Sequence, residues 1–162
     1  MDKVILGIDP GTRTIGYGVL SKSQNKISVI NYGIINIYGT FSINKYSLIY
    51  NEVNELIHDY KPDCVVIESQ FLGINVQSLI KLSRIQGIII LAAINNDIKI
   101  KEYSPTEIKK HITGIGNASK IMVSQVLQSI FKINFKKTKH DATDALAIAY
   151  TECLNNKIIL DK

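Results

Sequence analysis

The sequence predicts an α/β fold, a mixed five-stranded sheet flanked by helices. Three observations carry this. The apolar run 4–8 ends in Asp9, Pro10-Gly11 supplies a tight turn, and residues 14–20 return as a second strand. Residues 27–37 are rich in β-formers and extend the hairpin by a third strand. An amphipathic helix over 46–60 then leads to the continuously apolar run 64–67, the pattern of a strand buried on both faces.

Each element follows from local chemistry. Pro presets φ for the first turn and Gly relaxes its sterics, so Asp9 sits at the C-terminal end of the first strand; Asp is also a favoured first residue of such a turn. Asn31 to Gly33 is a candidate irregularity in the third strand. Tyr46, Ile49, Val53, Leu56, Ile57 and Tyr60 recur at helical spacing, and Lys61-Pro62 ends that helix. A strand–helix–strand unit is parallel and right-handed in nearly all known cases. With the fourth strand beside the first, their C-terminal ends share one edge, where α/β sheets bind ligands. Asp9 and Glu68 then face each other.

Residues 76–94 read as a long helix whose Leu79, Ile80, Leu82 and Ile85 form a broad apolar surface, with Gly87 permitting close approach of a neighbour. Its first half suits the core or a subunit interface equally. Beyond Gly87 it is apolar nearly all round, which predicts burial on most sides, deep in the core or with part of it in a subunit interface. Residues 98–103 alternate as a fifth strand. Ser104-Pro105-Thr106-Glu107 is a helix start, with Ser as N-cap, Pro at N1 and Glu at N3. That short helix carries Lys109, Lys110 and His111. Gly114-Ile115-Gly116-Asn117 follows, with Asn117 expected to cap the next helix; such a turn presents N–H groups to an anion or is simply a turn. Lys120 stands in the first turn of that helix against its dipole, which makes sense where it contacts phosphate. Residues 140–150 are rich in Ala and Leu and form a strong helix. Asp141 and Asp144, three apart, share one face near its start.

The length of 162 residues fits one domain over 1–154 with a short C-terminal tail at 155–162. The 46% hydrophobic and 20% charged fractions are those of an ordinary globular chain, and the longest apolar run, 88–94, is too short to span a bilayer. The first strand starts with no basic-then-apolar leader before it. Cys64 and Cys153 lack metal-ligand spacing and read as small buried groups in a reducing compartment, so a cytoplasmic location is expected. The net charge of +5 is concentrated: residues 101–140 hold eight Lys against two Glu, while the rest holds eleven basic and twelve acidic residues. A basic segment of this kind suits a polyanion, or a merely solvated surface.

Four carboxylates, two at parallel strand ends and two at a helix start, thus have a possible meeting place. Crowded carboxylates raise one another's pKa and call for cations. Oxygen ligands without His or Cys favour Mg²⁺ or Mn²⁺ over zinc. Two such ions activate a water and stabilise the leaving oxygen in phosphodiester hydrolysis, and the basic segment would hold nucleic acid by its phosphates.

On these residues the chain resembles RuvC-type Holliday junction resolvases over nearly its whole length. The matching pieces are Ile5-Leu6-Gly7-Ile8-Asp9-Pro10-Gly11-Thr12, Gly16-Tyr17-Gly18-Val19, Ile67-Glu68, and Lys81-Leu82 with Gly87. The two most specific are Thr113-Gly114-Ile115-Gly116-Asn117-Ala118-Ser119-Lys120 and Asp141-Ala142-Thr143-Asp144-Ala145-Leu146-Ala147-Ile148-Ala149. The resemblance implies an RNase H-like fold, a homodimer, and paired symmetric nicking of four-way DNA junctions with Mg²⁺, Mn²⁺ substituting, two ions per subunit. It carries over Asp9, Glu68, Asp141 and Asp144 as catalytic metal ligands. It makes Phe71 an aromatic that engages bases at the crossover, and Lys109 and Lys120 neighbours of the DNA backbone. It further implies 5′-phosphate products, cutting near a TT step, the helix from Val76 as dimer helix, and RuvA and RuvB as partners. Ser69 and the basic approach through His140 depart from the family's usual pattern, and bear on cleavage sequence and metal preference. Three rivals differ in kind: an actin-like ATPase, for which the chain is too short; another RNase H-like nuclease on branched nucleic acid; and a non-catalytic junction binder, against which all four acids speak.

Overall fold

The computed structural model describes residues 2–24, 26–37, 44–69, 75–135 and 140–155. Its elements are β1 (Lys3–Asp9), β2 (Thr14–Lys22), β3 (Ile27–Asn36), α1 (Asn44–Tyr60), β4 (Cys64–Glu68), α2 (Val76–Asn95), β5 (Lys99–Tyr103), α3 (Pro105–Thr113), α4 (Lys120–Phe131) and α5 (His140–Leu154). The strands form one sheet in the order β3-β2-β1-β4-β5. The β1–β2 and β2–β3 pairs are antiparallel, and β1–β4 and β4–β5 are parallel. The sheet is therefore mixed and five-stranded, as predicted, with β1 and β4 adjacent.

Strand side chains alternate between faces. Leu6 and Ile8 of β1, Ile15 and Val19 of β2, and Val65 and Ile67 of β4 join one buried cluster with Ile49, Val53 and Ile57 of α1 and Ile85, Ile89, Ala92 and Ala93 of α2. Ile5, Leu20, Cys64 and Val66 join the other, with Ile108 and Ile112 of α3, Val123 and Leu127 of α4, and the apolar side of α5. The result is three layers: α1 and α2, the sheet, then α3, α4 and α5. By the same alternation Asp9 and Glu68 lie on the α5 side. Both cysteines are buried and free, and burial pushes the Cys64 thiol up to about 11 and the Cys153 thiol up to about 12.

Several sequence expectations are corrected. The irregularity in β3 is a bulge one residue earlier than expected: Val19 pairs with Asn31 and Leu20 with Val29, so Ile30 is the extra residue. Gly33 instead lies under the Tyr17 ring, where a Cβ would come 2.7 Å from the phenol oxygen. The N-cap of α4 is Ser119, whose hydroxyl accepts from the Met122 N–H at 3.2 Å, and Asn117 belongs to the preceding turn. The second half of α2 is not enclosed: Leu91 is 50% and Ile94 60% exposed. Gly87 is exposed, and a Cβ there would meet no other element among the described residues within 4 Å. By length and composition α2 is also apolar enough to cross a membrane; in this fold one of its faces is core, and its C-terminus is tied to α1 by Asn95–Tyr50 and Asn96–Asn54 hydrogen bonds. The Ser104 N-cap is as read, with its reciprocal Glu107 capping box complete.

The seating of α5 depends on glycine. A Cβ at Gly16 would lie 2.0 Å from the Asp141 carbonyl oxygen, one at Gly7 2.3 Å from that of Ala145, and one at Gly18 2.8 Å from the Leu146 nitrogen. These three residues share the α5 face of β1 and β2, so backbone meets backbone there. Gly16→Ala is expected to destabilise the fold by about 2–3 kcal/mol through overpacking, read as a lower denaturant midpoint. A variant as stable as the parent would show that α5 can shift without loss.

Candidate active site at the carboxyl edge of the sheet

The β1–β4 register pairs Ile8 with Ile67, so the next residues along, Asp9 and Glu68, are neighbours across two parallel strand ends. On its other side Asp9 pairs with Gly16. Gly16 is the position over which the Asp141 carbonyl sits, so one pair in the hairpin places the start of α5 above Asp9. Asp144 follows most of a helical turn later. The electrostatics show the convergence. Burial, then the charges of Asp144, Glu68 and Asp141, push the Asp9 carboxyl from the usual 3.8 up to about 8, with Lys120 opposing. Burial and Asp144 also raise Glu68, with Lys120 and Lys109 opposing.

Two of the acids are held by neighbours. The Thr14 hydroxyl, at the first residue after the turn, donates to Asp141 Oδ2. Lys120 Nζ donates to Asp144 Oδ2 at 2.6 Å. Burial pulls the Lys120 ammonium down, but the Asp144 hydrogen bond and the charges of Asp144, Asp9 and Glu68 outweigh it and raise it. Glu68, Lys109, Lys120 and Asp144 line a cleft of about 250 Å³ together with Ile108, Val123, Ala147 and Ile148. A second cleft of about 520 Å³ shares Lys120 and Asp144 and continues along Ser124, Gln125, Gln128 and His140.

The structure thus brings together Asp9, Glu68, Asp141, Asp144, Lys109 and Lys120. Phe71 lies outside the described residues, as do 136–139 and 156–162. Sequence reasoning assigned no role to Thr14 and gave Gly16 only as part of a family match, without its role in seating α5. Their signal was present: a hydroxyl directly after the turn, and glycines alternating along β2 opposite an Ala-rich helix. The all-oxygen donor set fits a hard divalent cation. A half-buried carboxyl pushed up by desolvation and then by three like charges is the mark of a site short of positive charge. No group of three or more His, Cys, Asp or Glu side chains among the described residues is arranged to hold an ion as it stands.

Comparison with known proteins decides the family. The family model for crossover junction endodeoxyribonuclease RuvC matches residues 5–152. The chain belongs to the RuvC family. The Cytophaga hutchinsonii RuvC is 42% identical over 151 residues, 92% of this chain and 75% of that one. The Bacteroides fragilis RuvC is 44% identical over 159 residues, 94% of this chain and 83% of that one. Among solved structures, Thermus thermophilus RuvC superposes with a TM-score of 0.81 at 26% identity, covering 93% of each chain. The same organism's RuvC bound to a Holliday junction gives 0.82 at 24% identity, covering 94% of this chain and 93% of that one. The yeast mitochondrial Holliday junction resolvase gives 0.71 at 16%, covering 94% and 78%, a likeness of fold. The RNase H-like sheet expected from the sequence is thus the fold of RuvC.

The raised Asp9 carboxyl has a consequence for stability. The folded chain holds this proton up to about pH 8, whereas the unfolded chain releases it near 3.8. Between those values the unfolded state binds fewer protons, so stability from this group falls as pH rises. The metal-free protein is expected to lose denaturant resistance from about pH 4 to about pH 8, and Asp9→Asn to flatten that slope. An equal slope in the variant would place the proton elsewhere.

Proposed function

We propose that this protein resolves four-way Holliday junctions by paired, symmetric, metal-dependent nicks, acting on DNA in the cytoplasm during recombination and repair. One observation supports this above all: in a RuvC-family chain, four carboxylates from β1, β4 and α5 meet at one sheet edge beside Lys109 and Lys120. Relatives named as crossover junction endodeoxyribonucleases cover nearly the whole chain.

Asp9, Glu68, Asp141 and Asp144 would hold the cation, Mg²⁺ with Mn²⁺ as substitute, two per subunit. Such ions supply an activated water and charge for the leaving oxygen, leaving 5′-phosphate and 3′-hydroxyl ends. The chain's own residues do the positioning. Asp9 and Glu68 sit at the ends of two adjacent, hydrogen-bonded parallel strands. Thr14 orients Asp141 through its hydroxyl. Lys109 and Lys120 offer ammonium groups to the phosphates on either side of the cut. Phe71 stacks on bases opened at the crossover. RuvA and RuvB are the proposed branch-migration partners.

A two-fold enzyme suits a two-fold substrate, because two opposed strands must be cut. The outer face of α2 supplies an apolar surface for that symmetry, with Val76 70%, Ile80 47%, Leu91 50% and Ile94 60% exposed. Leu91→Glu is expected to convert a dimer into monomers in sedimentation equilibrium and to uncouple the two nicks. A dimer that survives this change would place the interface elsewhere.

The deciding experiment compares cleavage of four-way junctions, flaps and RNA–DNA hybrids. Preference for the junction is expected, and equal cutting of flaps would favour a general branched-DNA nuclease. Asp9→Asn should bind the junction while cutting falls by about 10³-fold or more, and a chelator should abolish cutting by the parent. Persistent cutting by Asp9→Asn with Mg²⁺ would sink the assignment.

A further inference from the structure

Lys120 stands where the two clefts meet and lines both. In the first, its ammonium is held on Asp144 Oδ2 at 2.6 Å. It occupies the first turn of α4 behind the Ser119 cap, where a positive charge opposes the helix dipole. Helix stability does not explain a lysine there; the facing carboxylates do. The Lys120 side chain is 78% exposed and that of Asp144 25%. Ion pairs so exposed are weak, and a divalent ion or a phosphate competes well against them.

Two further observations set the direction of that competition. No three carboxylates among the described residues are arranged to hold an ion, and one oxygen of Asp144 is taken by Lys120. In the second cleft, Asp144 is the sole acid among the lining residues, and Ser124, Gln125, Gln128, Thr143 and His140 supply the polar wall. An ammonium that swings away from Asp144 into this cleft finds no second carboxylate among its described lining residues. A DNA phosphate supplies the counter-ion.

We propose that Lys120 is a built-in cation that occupies Asp144 in the DNA-free enzyme, and that backbone phosphate of bound DNA draws it away and releases Asp144 to the divalent ion. The site thereby couples metal affinity to substrate. Linkage makes this reciprocal: DNA tightens metal binding by the same factor by which metal tightens DNA binding. The enzyme would then assemble its hydrolytic centre on a phosphate backbone rather than in free solution. This rests on the junction-nuclease reading above.

The test uses the full chain and Ca²⁺ as probe ion, which takes the same oxygen ligands. Calorimetric titration measures Ca²⁺ affinity of the parent, Lys120→Gln, Lys120→Arg and Lys109→Gln without DNA. Fluorescence anisotropy then measures four-way junction affinity with and without saturating Ca²⁺. Lys120→Gln should bind Ca²⁺ about tenfold more tightly than the parent, and its junction affinity should respond to Ca²⁺ by less than about twofold. The parent and Lys120→Arg should share weak Ca²⁺ binding and a response of about tenfold. Lys109→Gln removes the same charge from the same cleft but leaves the Asp144 ion pair, so it should keep the parent's coupling. Ca²⁺ affinity unchanged in Lys120→Gln, or equal loss of coupling in Lys109→Gln, overturns the inference. A parent that binds Ca²⁺ without dependence on Asp9 and leaves junctions uncut with Mg²⁺ overturns the function and the inference together. A parent that cuts junctions while Lys120→Gln behaves like it overturns the inference alone.

Discussion

The close seat of α5 on the β1–β2 hairpin is the constraint from which the rest of this structure follows. Gly7, Gly16 and Gly18 remove the side chains that would hold the helix off, so Asp141, Ala145 and Leu146 meet strand backbone directly. Three sheet positions are thereby committed to having no side chain under the helix. In return, the first turn of α5 is brought above the end of β1. Since Gly16 is the hairpin partner of Asp9, a single register sets the strand acid and the helix acids together. A slip of one residue would turn Asp9 to the α1–α2 layer and take the site apart.

That arrangement is electrostatically uncomfortable by design of the fold. Asp9 is half-buried among three like charges, and its carboxyl is pushed up to about 8. Local relief is partial: a hydroxyl on Asp141, an ammonium on Asp144, and the more distant charge of Lys109 on Glu68. Positions that break local rules while the surrounding packing is sound are where function resides. Lys120 breaks a helix-dipole rule on one element and relieves a carboxylate cluster on another, so its placement makes sense only when both are considered.

The helix α2 shows where periodicity stops being informative. Its apolar residues run nearly all round, and pattern alone predicts burial on most sides. The fold spends only one side, through Ile85, Ile89, Ala92 and Ala93, and leaves Leu91 and Ile94 in the open. An unused apolar face and a core face have the same composition. The start of α4 is similar: Asn117 and Ser119 are both good caps, and the choice fell to Ser119 because its hydroxyl reaches the Met122 N–H. In β3, the bulge at Ile30 depends on the partner strand's register, which the strand's own residues do not encode.

By itself the sequence determined the five strands, the principal helices, the ends of β1 and β4 at Asp9 and Glu68, the capping box at Ser104 and the shared face of Asp141 and Asp144. These are short-range properties: alternation, turn chemistry, helix spacing and capping act within a few residues. The parallel neighbourhood of β1 and β4 was legible one step further, through the handedness of a strand–helix–strand connection. What only the tertiary structure decided is how close these acids come, that Thr14 and Lys120 hold two of them, and which side of α2 faces out. These depend on contacts between separate elements, some of them more than a hundred residues apart, such as Gly16 with Asp141. The alternating glycines of β2 are visible in the sequence, but which helix they admit, and how closely, is set only when the elements pack.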